Sequence, residues 1–404
     1  MRIIHTSDWH LGQYFFTKSR APEHQHFLNW LVEQVELHHV DAVIVAGDIF
    51  DTGSPPSYAR ELYNKFIVDL QKTGCQLVIL SGNHDSVSVL NESSALLRYL
   101  NTQVITSGSE PHVITLVNKQ AQPIGLVCAI PFLRPRDIQL SIAGQDIEEK
   151  QRSLQSAIHD HYQASYQLAL EQRAALGLDI PIIATGHLTV VGAALTDSVR
   201  DIYIGTLDAF PSGAFPPADY IALGHIHRPQ VIGGQENIRY CGSPIALSFD
   251  ETAQQKSVCL IEFTGSKLTQ ITPLEIPIIQ PLQSIKGSLS QIEQQLEIWK
   301  DYQGDKPVWL DIEVASQDYL ADIQQRIEAL TQDLPVEIVI LRRARKQIQG
   351  QNQTLANETL SELTVEDVFL RRLAQESLED PEREQRLVQL FQQSYDALQM
   401  SKES

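Results

Sequence analysis

Five short apolar segments, each leading into a polar motif, constrain this chain more than any other feature. Residues 2–5 (RIIH) lead into SDWH, 41–46 (DAVIVA) into GDIFD, 75–80 (CQLVIL) into GNHD, 181–185 (PIIAT) into GHL and 219–223 (DYIAL) into GHIH. Each run is brief, rich in β-branched residues and closed by a glycine or polar residue, as expected for buried strands. Helical spacing fills the gaps. Phe27, Leu31, Val32 and Val35 share one face, and Tyr58, Leu62, Phe66 and Leu70 share another, with Gly74 placed as a C-terminal cap. Strands alternating with helices give an α/β fold with a largely parallel or mixed sheet. In such sheets ligands collect beyond the carboxyl ends of the strands, where all five motifs fall.

Residues 112–130 and 230–265 read as hairpins that extend this core as a sandwich, and the periodicity loosens over 270–305. A strand at 307–314, a helix over 317–332 and a strand at 336–341 then form a compact βαβ unit. The expected division is therefore 1–270 for the core, 275–345 for a small second domain and 346–404 for a helical tail, two or three domains being usual for 404 residues. The tail carries two apolar stripes, Leu363, Val365, Val368, Phe369 and Leu373, then Leu387, Leu390, Phe391, Tyr395 and Leu398, separated by Pro381. The N-terminus lacks the sections of a signal peptide and no apolar run is long enough for a bilayer, so a cytoplasmic chain without membrane contact is expected. Cys75, Cys128, Cys241 and Cys259 are widely spaced and read as buried thiols. The formal net charge of -19 opposes a simple nucleic-acid binder, unless a metal site or a partner protein supplies positive charge.

The motifs hold the chemistry. Asp8 and His10 are two apart, and on an extended chain both project from one side and can grip one cation; His225 and His227 repeat the spacing. Asp48 has two carboxylate oxygens and can bridge two metals, while Asn83 offers a carbonyl oxygen and His187 an imidazole. This mixed donor set suits Mn²⁺, Fe or Zn²⁺ better than Ca²⁺. Two such ions roughly 3.5–4 Å apart support in-line displacement at phosphorus. Two aspartates against two divalent ions leave the site at about +2, so an acidic chain can hold an electropositive pocket. His84 follows Asn83 and is free to meet substrate, with Asp51 three residues after Asp48 able to orient it. A lone HxH is weak: His24/His26 and His159/His161 share the spacing but fall in helical stretches, where i and i+2 diverge by roughly 200°. Both pairs are assigned to solvated faces, as are His38 and His39, whereas His5 and His112 are read as structural. Lys18, Arg20, Arg134, Arg136 and Arg200 lie in expected loops as candidate phosphate contacts, with ordinary ion pairs an equal alternative.

The series SDWH, GDIFD, GNHD, GH and GHIH resembles the calcineurin-like metallophosphoesterases. The longer strings SDWHLG, DTGSPPSYARELYN, IPFLRPRD, VRDIYIGTLDAFP and YIALGHIHRPQ resemble more narrowly the SbcD family of bacterial DNA-repair nucleases. The resemblance implies a four-layered β-sandwich core flanked by helices and two Mn²⁺ ions. One ion would take Asp8, His10, Asp48 and His227, the other Asp48, Asn83, His187 and His225, with His84 as catalytic histidine supported by Asp51. It also implies 3′ to 5′ exonuclease action on double-stranded ends, cutting of hairpins and single strands, and a capping domain over the site matching 275–345. A homodimer is implied too, within a heterotetramer whose ATPase component, SbcC, receives the helical tail.

Overall fold

A computed structural model of the chain describes residues 1–138, 146–199, 209–315 and 323–344, together with 373, 386, 387, 390 and 391. The chain divides into two compact units, Met1–Arg345 and Lys346–Ser404. Most of the two apolar stripes expected in the tail lies outside the described residues, as does Arg200.

In the first unit the predicted strands form at β1 (Arg2–Thr6), β2 (Ala42–Ala46) and β3 (Gln76–Leu80), with α1 (Ala21–Leu37) and α2 (Ser57–Gln71) between them and β4 (Thr102–Ile105) after them. A hairpin of β5 (Val113–Val117) and β6 (Pro123–Cys128) precedes the long helix α3 (Ile147–Leu176). That helix opens on a capping box of Asp146 and Glu149 and closes on Gly177 in the left-handed conformation, φ 64°. Then come β7 (Ile182–His187), β8 (Tyr220–Gly224), β9 (Gln230–Ile232), β10 (Gln235–Tyr240), β11 (Ser257–Thr264) and β12 (Lys267–Glu275).

These strands make two six-stranded sheets, ordered β12-β11-β1-β2-β3-β4 and β9-β10-β8-β7-β6-β5. Within each, the central strands run parallel and a hairpin closes an edge. The region 230–265 is therefore not one hairpin: β9–β10 belongs to one sheet, while β11 pairs with β1 and β12 in the other.

Strand alternation sorts the core into layers. Ala42 and Ile44 of β2 face the opposite sheet with Ile183, Tyr220 and Ala222, whereas Val43 and Val45 face α1 and α2 with Phe27, Leu31, Phe66 and Leu70. On the far side Leu154, Ile158, Tyr162 and Ala169 of α3 cover Leu126, Ile182 and Leu223. Helix, sheet, sheet, helix is the four-layered sandwich that was expected.

His5 sits in this core and is structural, as expected. The Tyr220 hydroxyl lies 2.9 Å from its Nδ1, and its Nε2 lies 3.2 Å from the Leu223 carbonyl. A carbonyl only accepts, so Nε2 donates to it and Nδ1 accepts from the tyrosine. Burial lowers the pKa of this imidazole to about 3. The unfolded chain binds a proton near pH 6.5 that the folded chain refuses, so stability contributed by neutral His5 falls as pH drops below that value. Unfolding free energy of the metal-free protein should decline by about 1.4 kcal/mol per pH unit from this group alone, until near pH 3. Denaturant titrations of wild type and His5→Gln over that range test this. Slopes differing by about one proton are expected, and parallel slopes would contradict it.

Two other histidine assignments need correction. His24 is fully buried, and of that pair His26 alone is exposed. His159 is half-buried with Nδ1 2.9 Å from the Ala214 carbonyl, and burial lowers its neighbour His161 to about pKa 4. Both pairs lie on α1 and α3, so neither chelates as a pair.

The last part of the first unit is larger than the expected βαβ. It adds β13 (Leu282–Gly287) and α4 (Leu289–Leu296) ahead of β14 (Val308–Val314), α5 (Ile323–Thr331) and β15 (Val336–Arg343), in an all-parallel sheet ordered β13-β14-β15. A cluster of Phe15, Phe249 and Trp309 joins this sheet to the sandwich. No helix among the described residues is long and apolar enough to cross a membrane.

Candidate metal centre

The site forms where the carboxyl ends of β1, β2, β3, β7 and β8 meet. The chain after β1 runs beside the chain after β2 through backbone hydrogen bonds from Asp8 to Gly47, His10 to Asp48 and Leu11 to Ile49, at 3.0, 3.1 and 2.9 Å. Here the expectation of an extended Asp8–His10 segment fails. Asp8, His10, Asp48 and His225 all have positive φ, at 54°, 48°, 51° and 96°. Four non-glycine residues in this region mark a backbone held against its preference by its surroundings. Between Asp8 and His10, Trp9 turns the other way, edge-on to Phe27 and Phe66 in the helix layer. That packing leaves its two neighbours facing the site.

Glycines permit the close approach of the two sheets. A Cβ on Gly224 would lie 1.9 Å from the Ala46 carbonyl, and one on Gly47, whose φ is +93°, would lie 2.2 Å from His187 Nδ1.

The convergence is dense. Donor atoms of Asp8, His10 and His227 lie within 4.8 Å of one another, as do those of His10, Asp48 and His84, and those of Asp48, His187 and His225. Asn83 Oδ1 is 2.9 Å from His187 Nε2. Asp48 Oδ2 lies 3.3 Å from His187 Nε2 and 3.6 Å from His10 Nε2, between the two groups. All seven expected ligands are thus brought together with His84.

Hydrogen bonds at the rear fix which nitrogen faces inward. His187 Nδ1 donates to the Ala46 carbonyl at 2.9 Å, His10 Nδ1 lies 3.2 Å from Asp51 Oδ1, and His227 Nδ1 lies 2.5 Å from Ser198 Oγ. Each ring therefore turns Nε2 toward the centre, as metal-ligating imidazoles do. His10 Nε2 and His225 Nε2 are buried with no hydrogen-bond partner. Orphaned buried nitrogens are costly unless a cation takes their lone pairs, so the donor set fits a divalent metal.

Without metal, protons fill that role. Burial works against charge on His187 and His10, but the Asp48 carboxylate outweighs it at His187, whose pKa rises to about 9. At His10 the hydrogen bond to Asp51, helped by Asp48, raises the pKa in the same direction. His225, buried beside protonated His187, is pushed well down. Burial opposes ionisation of Asp48 too, yet His187 and His10 hold its carboxyl well below the usual range.

Asp51 divides its work differently from expectation. Its backbone carbonyl accepts from His84 Nδ1 at 2.7 Å, and its carboxylate meets His10. The candidate phosphate contacts also separate. Arg20 is buried in a bidentate pair with Glu23, donates to the Ala246 carbonyl and lies 4.8 Å over the Phe15 ring. It also lies 5.9 Å over the Trp309 ring of β14, and with its side chain buried it has no face left for a phosphate. Arg134 donates to the carbonyls of Thr106 and Asp85 and props the GNHD segment from behind. Lys18 pairs with Glu337, and Arg136 is exposed beside Asp137.

Sequence reasoning passes over buried Asp85, whose carboxylate accepts from the backbone N–H groups of Ile49, Phe50 and Gly82 and ties the β2 and β3 motifs together. Burial and nearby Asp48 raise its pKa to about 6. It also passes over Ser198, Glu251 and Lys256 behind His227. The strict spacing GNHD offers a signal for Asp85; nothing local marks the other three.

Residues 1–229 match the calcineurin-like phosphoesterase family, and residues 279–377 match the family described as the type 5 capsule protein repressor C-terminal domain. The chain is 57% identical over 392 residues to the SbcD component of nuclease SbcCD from Escherichia coli strain K12, with 97% of each chain covered. It is 34% identical over 290 residues to the protein of that name from Rhodobacter capsulatus, covering 69% of this chain and 70% of that one. Against the Bacillus subtilis protein it is 30% identical over 376 residues, 91% of each. With the five strand-end motifs gathered into one centre of divalent-metal donors, these matches show that the chain belongs to the calcineurin-like phosphoesterases and, within them, to the SbcD family.

Proposed function

We propose that the chain is a Mn²⁺-dependent DNA nuclease, a 3′ to 5′ exonuclease on double-stranded ends that also cuts hairpins and single strands, working with the ATPase SbcC in end processing, repair and recombination. The observation that carries this is buried Asp48, shared by two clusters of donors, one with His10 and His84 and the other with His187 and His225. In this reading Asp8, His10, Asp48 and His227 hold one ion, and Asp48, Asn83, His187 and His225 the other. When bound, the two ions supply Lewis-acid polarisation of the phosphoryl oxygens and stabilise in-line displacement. The protein's own groups orient and move protons. His84 Nδ1 donates to the Asp51 carbonyl, so Nε2 is the nitrogen that carries a proton to the leaving oxygen.

A cleft of about 640 Å³ lies beside Ser198, lined by Tyr14 and Phe16, by Lys286 and Arg342 of β13 and β15, and by Asp197, Asp250 and Asp311. We read the 275–345 region as a cap over this cleft. Val68, Leu96 and Tyr99 are exposed on and after α2, Tyr99 at 86%, which favours a homodimer contact there. The apolar stripes of the tail favour docking on SbcC, giving a heterotetramer.

The test is cleavage of end-labelled blunt and hairpin duplexes in Mn²⁺, with and without SbcC, beside an Asp8→Ala control. Metal-dependent cutting that the control lacks is expected. No cutting even with SbcC, but hydrolysis of a small phosphodiester, would keep the centre and refute the DNA assignment.

A further inference from the structure

Behind His227 lies a network that no motif announces. Glu251 is fully buried. Its Oε1 accepts from Ser198 Oγ, from Thr196 Oγ1 at 3.0 Å and from Ser248 Oγ at 3.1 Å. Its Oε2 accepts from the backbone of Leu247 at 3.1 Å and from Lys256 Nζ at 2.6 Å. Lys256 is buried as well, and its three donors are all used: Glu251, the His227 carbonyl at 2.9 Å and Ser243 Oγ at 3.0 Å. The ion pair is thus completely satisfied, the condition under which a buried pair persists.

Counting protons shows what this network does. The Ser198 hydroxyl has one hydrogen, and it goes to Glu251, which can only accept. Ser198 Oγ has two further neighbours: Thr196 Oγ1 at 3.1 Å, whose own hydrogen goes to Glu251, and His227 Nδ1 at 2.5 Å, from which it accepts. Glu251 Oε1 itself lies 3.6 Å from the same nitrogen. His227 is locked as the Nδ1–H tautomer, with the Nε2 lone pair left for the cluster of Asp8 and His10. Lys256 holds the same residue by its backbone carbonyl, so ring and main chain are fixed together.

We propose that Glu251, acting through Ser198 and anchored by Lys256, is the positioning carboxylate that makes His227 a ligand, and so sets the affinity of one metal site while sparing the other. This rests on the two-metal reading above. His187, on the opposite side of Asp48, is oriented by the Ala46 carbonyl and owes nothing to this network.

The test is titration of the full-length chain with Mn²⁺ alone, followed by calorimetry and by the resonance signal of free Mn²⁺. Ser198→Ala should weaken one of two sites about 10–100-fold and leave the other unchanged, as loss of an outer partner does at such sites. Glu251→Gln should do the same, and Ser198→Thr, which keeps the hydroxyl, should bind as wild type does. Glu251→Gln also strands Lys256 and lowers the stability of the metal-free fold. Ser198 is half-buried and lies outside any helix or strand, so Ser198→Ala should melt like wild type without metal and lose part of the Mn²⁺-induced gain. Two unaltered sites in Ser198→Ala, or equal weakening of both, would overturn the proposal. A wild-type chain that titrates with fewer than two Mn²⁺ would instead refute the two-metal reading itself.

Discussion

Asp48→Asn should lose both bound metals and at least about 10³-fold of the DNA cleavage rate. Two divalent ions contribute several kcal/mol to the transition state, and each 1.4 kcal/mol is a factor of ten. The asparagine side chain matches aspartate in shape and can still accept the His84 N–H that meets Asp48 Oδ1 at 2.9 Å, so the loop after β3 keeps its anchor. What disappears is the charge. The amide NH₂ that takes the place of Oδ2 between His187 and His10 has no lone pair for a cation, and the anion that raises His187 and helps Asp51 to raise His10 is gone. The second consequence gives an independent readout. Wild-type metal uptake must expel those protons, so it should release them across the range up to about pH 9, where His187 titrates. Its metal affinity should rise with pH over the same range. In Asp48→Asn that release should nearly vanish. Elemental analysis that finds two metals retained in the variant would remove Asp48 from the bridging role.

The sequence carries the ligands well because each is contiguous with a strand, and strands announce themselves by apolar, β-branched runs. Beyond that contiguity the signal weakens. The i, i+2 spacing of Asp8 and His10 suggests extended chain, whereas the convergence comes from two left-handed residues around a core tryptophan. A one-letter code does not say whether Asp51 acts through its carboxylate or its carbonyl, and it uses both. Arg20 looks like a loop cation because its partners, Glu23 and the Phe15 ring, are identified only by the fold. β13 escapes notice because its six residues bury only Ile285 fully, leaving too little periodicity to register. Glu251 and Lys256 lie more than twenty residues past the last motif in a loop of ordinary composition, and their burial follows from tertiary contact alone.

His84→Gln should keep both metals yet slow DNA cleavage about 10²–10⁴-fold, the range that a positioned proton donor supplies. Its backbone N–H anchors on Asp48 and its Nδ1 on the Asp51 carbonyl, so the imidazole is held from two sides without needing to serve as a ligand. Its ring stands edge-on to His10, 4.7 Å between centroids, at the edge of the metal donors. Glutamine can reach the Asp51 carbonyl through its amide but cannot carry a proton to an alkoxide. The leaving group therefore decides between two roles. A nucleoside alkoxide needs a proton as the phosphorus–oxygen bond breaks, whereas a p-nitrophenolate does not. If His84 acts as general acid, the variant should be far less impaired on a p-nitrophenyl phosphodiester than on DNA. Equal losses on both substrates would mean that His84 stabilises charge on the phosphoryl oxygens instead. Loss of a metal would make it a ligand, and a rate close to wild type on DNA would exclude it from the chemistry.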